Sequence, residues 1–140
     1  MPGDPQPKVL DFDVTVDSDR TARSGRGGSP IAADAAWSSE HLVLAALVRC
    51  TLTSFDHQTK RDGLSATAAG SARGRVTKRE SDGLYAFVEV EARYEVELER
   101  VPDGAAVIEL LDRAERGCFV GNSLATRPTY HWTVNGEEIR

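Results

Sequence analysis

From Val88 to Leu98 the chain alternates without a break: Val88, Val90, Ala92, Tyr94, Val96 and Leu98 fall on even positions, and Glu89, Glu91, Arg93, Glu95 and Glu97 on odd ones. Side chains of a β-strand point alternately to its two faces, so this segment predicts a strand with one face in a core and the other in solvent. Pro102-Asp103-Gly104 breaks it. Ala105 to Gly117 then reads as an amphipathic helix with Val107, Leu110, Leu111 and Ala114 on one side and Gly117 as its stop. Phe119 to Ala125 suggests a further short helix. Tyr130, Trp132 and Val134, alternating with His131 and Thr133, give a closing strand before the Asn135-Gly136 turn.

On the N-terminal side, Leu10, Phe12, Val14 and Val16 alternate with Asp11, Asp13, Thr15 and Asp17, the period of a half-buried first strand. Ser18 to Ala36 carries Arg20, Arg23 and Arg26 among Gly25, Gly27, Gly28 and Pro30, which suits a hairpin turn, a short second strand and a loop. Ser38 can cap a helix with Glu40 in its first turn, and the helical pattern runs to about Lys60 before Asp62-Gly63 ends it. Apolar residues appear on nearly every side from Leu42 to Phe55, so this long helix is expected to be central, buried in the middle of the fold or of a dimer. Leu64 to Glu80 is less patterned but leads into the hairpin signal Ser81-Asp82-Gly83. Strands, long helix, strands, helix pair, strand: the order is α+β rather than alternating α/β.

The 140 residues fit a single domain, 1–140, with the Pro-rich 1–7 as a frayed tail, and can bury a core without a disulfide staple. A net charge of −5 argues against tracking a phosphate backbone, so no nucleic-acid partner is expected. The start of the chain lacks the basic and apolar stretches of a secretory signal, and Leu42 to Val48 is too short to span a bilayer, so the expected location is the cytoplasm, off the membrane. In that reducing compartment paired thiols point to catalysis, sensing, metal binding or core packing.

The chain has two cysteines, both in helix-like apolar runs: Ser39-Glu40-His41-Leu42 through Leu44-Ala45-Ala46-Leu47 to Cys50-Thr51, and Ala114-Glu115-Arg116-Gly117-Cys118-Phe119-Val120-Gly121-Asn122-Ser123-Leu124. These segments, in their order and separation, resemble the OsmC/Ohr family of thiol-dependent hydroperoxide reductases, and the order of elements is similar over nearly the whole chain. The resemblance implies antiparallel sheets around a long central helix in an intertwined homodimer. It also implies a peroxidatic Cys50, a resolving Cys118, and an organising pair formed by Glu40 and an arginine of the N-terminal hairpin. That arginine is Arg20 or Arg23, with Arg20 favoured. Ten residues along a helix span roughly 15 Å and leave side chains about 80° apart, so Glu40 cannot touch Cys50 of its own helix. The family's dimer, in which the arginine and glutamate side of each site comes from the opposite subunit, answers that geometry.

The cycle so implied runs from Cys50 thiolate to sulfenic acid to a Cys50–Cys118 disulfide, reduced by an external thiol or dithiol, with no metal, flavin or haem cofactor. Organic peroxides, or hydrogen peroxide, are the substrates implied. Two positions depart from the family pattern: Phe119 where many peroxide-reducing members have Pro, and Arg49 where small residues are common before the first cysteine. The first motivates a rival expectation, a non-enzymatic OsmC-like stress protein binding an apolar small molecule at the dimer interface. On their own residues, both cysteines would read as core packing, Glu40 as a dipole partner and the arginines as solvated charges. His41, His57 and His131 show no ligand spacing with the cysteines, so no zinc site is expected. Tyr94, Tyr130 and Trp132 suit strand packing or the lining of an apolar pocket.

Overall fold

The computed structural model describes residues 6–140, so of the expected tail only Gln6 and Pro7 are described, and both are exposed. The chain divides into two compact units, residues 1–38 and 39–140.

The first unit is a small hairpin. Strand β1 (Val14–Val16) pairs antiparallel with β2 (Ala22–Ser24) in the register Val14↔Ser24. The alternation from Leu10 therefore yields only three residues of strand, because β2 offers only three partners before Gly25 and Gly27 turn the chain. The face expected to be half-buried is open: Leu10, Phe12, Val14 and Val16 are all more than half exposed. Arg20 closes the hairpin turn, its N–H donating to Asp17 O at 2.8 Å.

The second unit carries the core. Helix α1 (Ser39–Arg61) ends as its sequence predicts, on Gly63 at φ +69°. Gly63 N–H donates to Lys60 O at 3.1 Å and Leu64 N–H to Thr59 O at 2.8 Å, the paired bonds of a left-handed helix stop that glycine reaches without a Cβ penalty. Strand β3 (Ala66–Lys78) and β4 (Tyr85–Leu98) form a long antiparallel hairpin around Ser81-Asp82-Gly83, with Gly83 at φ +71°. Val90, Ala92, Tyr94, Val96 and Leu98 are buried, as the alternation requires. The series stops at Val90 rather than Val88, because a register shift pairs Arg75 with Glu89 but Val76 with Phe87 and leaves Val88 as the extra residue of a bulge.

Helix α2 (Gly104–Arg116) is capped by Asp103, whose carboxylate accepts from Ala106 N–H at 2.9 Å, and it buries Val107, Leu110, Leu111 and Ala114. The short α3 (Phe119–Ser123) follows, then β5 (Thr129–Val134) and β6 (Glu137–Glu138), giving a sheet of order β3-β4-β5-β6. Beside the antiparallel pairs β3–β4 and β5–β6 the sheet holds one parallel pair: β5 runs parallel to β4, with Tyr94 beside Trp132. The reason is the helical crossover, since a strand returning through α2 and α3 re-enters the sheet in its original direction.

Helix α1 is covered along one stripe within this unit. Leu47, Thr51, Ser54, Phe55 and Thr59 form a buried stripe at helical spacing, while Leu42 remains 39 % exposed. Only the side facing the sheet and α2 is covered within this unit. Arg113 of α2 clamps the end of α1 with two bonds to Asp62, at 3.2 and 2.5 Å, and one to Gln58 at 3.1 Å. The Arg113 hydrogen bonds hold the Asp62 carboxyl below its ordinary range. A depressed carboxylate contributes stability above its unfolded pKa and loses it as pH falls through the lower folded value. Asp62→Asn should therefore cost about 1 kcal/mol near neutral pH, by urea denaturation, and nothing once wild-type Asp62 is itself protonated. An equal deficit at acid and neutral pH would remove the ion pair as its source.

Candidate active site

Cys50 is half-buried near the middle of α1, one position before the buried Thr51. Cys118 is fully buried at the N-cap of α3, in extended backbone between the end of α2 and the start of α3. The residue before it, Gly117, is required by space, because a Cβ there would run into Ser54 Oγ of α1. That close approach seats the α2–α3 junction against α1 and brings the second thiol to the first.

Consecutive amides of α3 then serve the two sulfurs: Val120 N–H points at Cys50 Sγ at 3.5 Å, and Gly121 N–H at Cys118 Sγ at 3.3 Å. Thr51 Oγ1 lies 3.2 Å from Cys118 Sγ and 3.0 Å from Leu47 O, so its one hydrogen has two acceptors. The Tyr130 hydroxyl stands against Cys118 as well, and a Cβ on Gly121 would meet both that hydroxyl and the Cys118 sulfur. Tyr94 stacks on Trp132 at 4.5 Å, and its buried hydroxyl approaches Thr51 without completing a hydrogen bond. Trp132 Nε1 donates to Glu115 at 2.8 Å, and Arg140 donates to the same carboxylate oxygen at 2.7 Å, so the charge nearest the aromatic layer is neutralised.

Burial pushes the Cys50 thiol above its ordinary pKa, and the neighbouring Cys118 adds to the rise, against the opposing Val120 N–H. Within this unit the groups acting on Cys50 carry no positive charge. Burial likewise raises the phenols of Tyr94 and Tyr130, which stay protonated and able to donate.

Of the residues singled out in the sequence, Cys50 and Cys118 are thus brought together. Glu40 is exposed in the first turn of α1, ten residues from Cys50 on one helix, and the two are apart as helical geometry requires. Arg20 and Arg23 belong to the N-terminal unit. Arg23 is tied to Asp17 Oδ2 at 3.0 Å, whereas the Arg20 guanidinium donates to Ser18 O at 3.3 Å and the residue occupies left-handed backbone at φ +73°. Thr51 carries no signal in the sequence beyond its place after Cys50, and only tertiary contact reveals it. Tyr94 and Tyr130 are legible as strand aromatics, but not as hydroxyls, one approaching Thr51 and the other Cys118. Among the described residues no three His, Cys, Asp or Glu side chains gather as a metal site, and no helix is long and apolar enough to cross a membrane.

An α+β unit that holds two free thiols at the meeting of a long helix and a helix junction defines a dithiol protein. The sequence profile of the family described as OsmC-like protein matches residues 32–133, and the chain belongs to that family. An OsmC-like protein of unknown function from Vibrio cholerae has a similar structure, with a TM-score of 0.73 at 15% identity, covering 89% of this chain and 100% of that one. The organic hydroperoxide resistance protein OhrB of Bacillus subtilis gives 0.59 at 17%, covering 90% and 98%. An organic hydroperoxide resistance protein from Elizabethkingia anophelis gives 0.66 at 15%, covering 92% and 98%. No curated protein matches the sequence.

Proposed function

We propose that the protein is a cytoplasmic hydroperoxide reductase that works through Cys50 and Cys118. The observation that supports this reading is the paired placement of the two sulfurs, each under its own α3 amide, in a chain of the OsmC-like family. Cys50, the more exposed thiol, attacks the peroxide O–O bond as thiolate. It takes the terminal oxygen as sulfenic acid while alcohol or water leaves. Cys118 then attacks the sulfenic sulfur, water departs, and a disulfide closes. An external dithiol returns both thiols, and no cofactor enters the cycle.

The protein acts as an intertwined homodimer in which Arg20 and Glu40 organise the site of the opposite subunit. Two features support the dimer: the open apolar side of α1 at Leu42, and exposed Leu84 and Tyr85, 59 % and 71 % accessible, at the distal end of the β3–β4 hairpin. Arg20 is preferred to Arg23 because Arg23 is already paired and Arg20 sits in a strained conformation of the kind that collects at functional sites. The test is intact mass under non-reducing conditions after one equivalent of cumene hydroperoxide. Rapid loss of two hydrogens, with a trapped sulfenic acid at Cys50 in Cys118→Ser, is the expected result. No reaction beyond that of an ordinary thiol overturns it.

The raised Cys50 thiol favours a second reading, an OsmC-like stress protein that binds an apolar small molecule at the dimer interface without turnover. The two are separated by the pH midpoint of Cys50 alkylation in the whole protein. The peroxidase reading requires a cation, and so a midpoint below that of a free thiol. Arg20→Met should then raise it by roughly one pH unit, a tenfold loss of thiolate near neutrality. A midpoint at or above the free-thiol value, unmoved by Arg20→Met, favours the binding protein.

A further inference from the structure

The two sulfurs are not equivalently housed. Cys50 is half-buried and faces the Val120 and Phe119 amides, whereas Cys118 is fully buried and faces the Thr51 hydroxyl, the Gly121 amide and the Tyr130 hydroxyl, with Leu47 O at 3.9 Å. A polar cleft of about 670 Å³ borders this region but is lined by Gly121 and Tyr130, not by Cys118, so those residues stand between the cleft and the sulfur. Thr51 has a single hydrogen, shared between Leu47 O and Cys118 Sγ. Rotation about one bond transfers it to the sulfur whenever that sulfur gains charge.

From this asymmetry we infer that the oxidised protein is reduced by attack at Cys50, with Cys118 as the leaving thiolate and Thr51 as the positioning residue that receives it. The incoming thiolate forms a bond to Cys50 Sγ, the Cys50–Cys118 bond breaks, and its electron pair stays on Cys118. The hydroxyls of Thr51 and Tyr130 and the Gly121 amide donate to that charge until a proton arrives from solvent. A second thiol, on the same dithiol or on a second thiol molecule, then attacks the reductant's sulfur in the mixed disulfide. Cys50 leaves as thiolate and the reductant becomes a disulfide. Rates of exchange depend on which sulfur is reached and on how well the leaving thiolate is stabilised, and here both favour the same direction.

The inference rests on the proposed function only through the disulfide, so the disulfide is made with diamide rather than peroxide. Diamide-oxidised protein is exposed briefly to glutathione, quenched in acid, alkylated with N-ethylmaleimide and digested. Glutathione on the Cys50 peptide with N-ethylmaleimide on Cys118 is the expected result. Glutathione on Cys118, or failure of diamide to form the intrachain bond, overturns it. Thr51→Val should slow reduction about tenfold, as loss of a hydrogen bond to a charged group predicts, and Thr51→Ser should restore the rate. A Val variant as fast as wild type, or a Ser variant as slow as Val, removes Thr51 from the role. A protein that forms the disulfide with diamide but never with cumene hydroperoxide overturns the peroxidase reading while the adduct's position still decides this one.

Discussion

Cys50→Ser should lower hydroperoxide turnover by at least about a thousandfold, because the hydroxyl that replaces the thiol stays protonated and is a poor nucleophile toward oxygen. Cys118→Ser should behave differently. It keeps Cys50, so the first equivalent of peroxide is consumed, and the sulfenic acid is then carried to irreversible oxidation by excess peroxide because no resolving thiol is present. Single-turnover loss of peroxide against mass distinguishes the two variants. Full activity in Cys50→Ser would mean that the thiol at the open end of the pair is not the nucleophile, and equal behaviour of the two variants would dissolve the division of labour between them.

Trp132→Ala should be the most damaging substitution for stability. The indole is fully buried, stacks on Tyr94 at 4.5 Å, packs on Phe55 at 5.7 Å and donates to Glu115 at 2.8 Å. Removing it empties the layer between α1 and the sheet and strips a partner from Glu115. A loss of about 4 kcal/mol follows from aromatic truncations of this kind, a large part of what a domain this size has in hand. The melting temperature should fall by about 10–15 °C. Trp132→Phe keeps most of the volume and should lose about half as much, chiefly through the Glu115 bond and the residual cavity. A Trp132→Ala protein within about 1 kcal/mol of wild type would show that the layer collapses around the hole. Because Tyr94 and Tyr130 lean on the same layer, the alanine variant should also loosen the housing of Cys118.

Much of the local structure was legible before any coordinates. The alternation through Val90, Ala92, Tyr94, Val96 and Leu98 states which face of β4 is buried, because side-chain direction in a strand is fixed by parity alone. Gly63 and the turn at Ser81-Asp82-Gly83 mark element ends through local backbone chemistry where they were expected, and Asp103, expected only within a strand break, also caps α2. The two cysteines could be named as a pair from their places in the α1 and α2–α3 segments.

Other features were out of reach of pattern. The parallel pairing of β4 with β5 depends on how the α2–α3 crossover returns the chain, and parity is the same for either direction. The bulge that stops the buried series at Val90 depends on a partner strand. The apolar circumference of α1 does not say how much of it this unit covers. Thr51 and Tyr130 read as a helix residue after a cysteine and a strand aromatic, and their hydroxyls acquire meaning only when α1, β5 and the α2–α3 junction converge on one sulfur. By itself, then, the sequence determined which residues turn inward in β4 and α2, where α1 and the β3–β4 hairpin turn, and which thiols to suspect, since periodicity and backbone preference are local. Only the tertiary structure decided that one thiol is left half-buried and the other fully enclosed beside the Thr51 hydroxyl and the Gly121 amide. That difference arises from contacts such as Thr51 to Cys118, between residues far apart in the chain, which no local rule encodes.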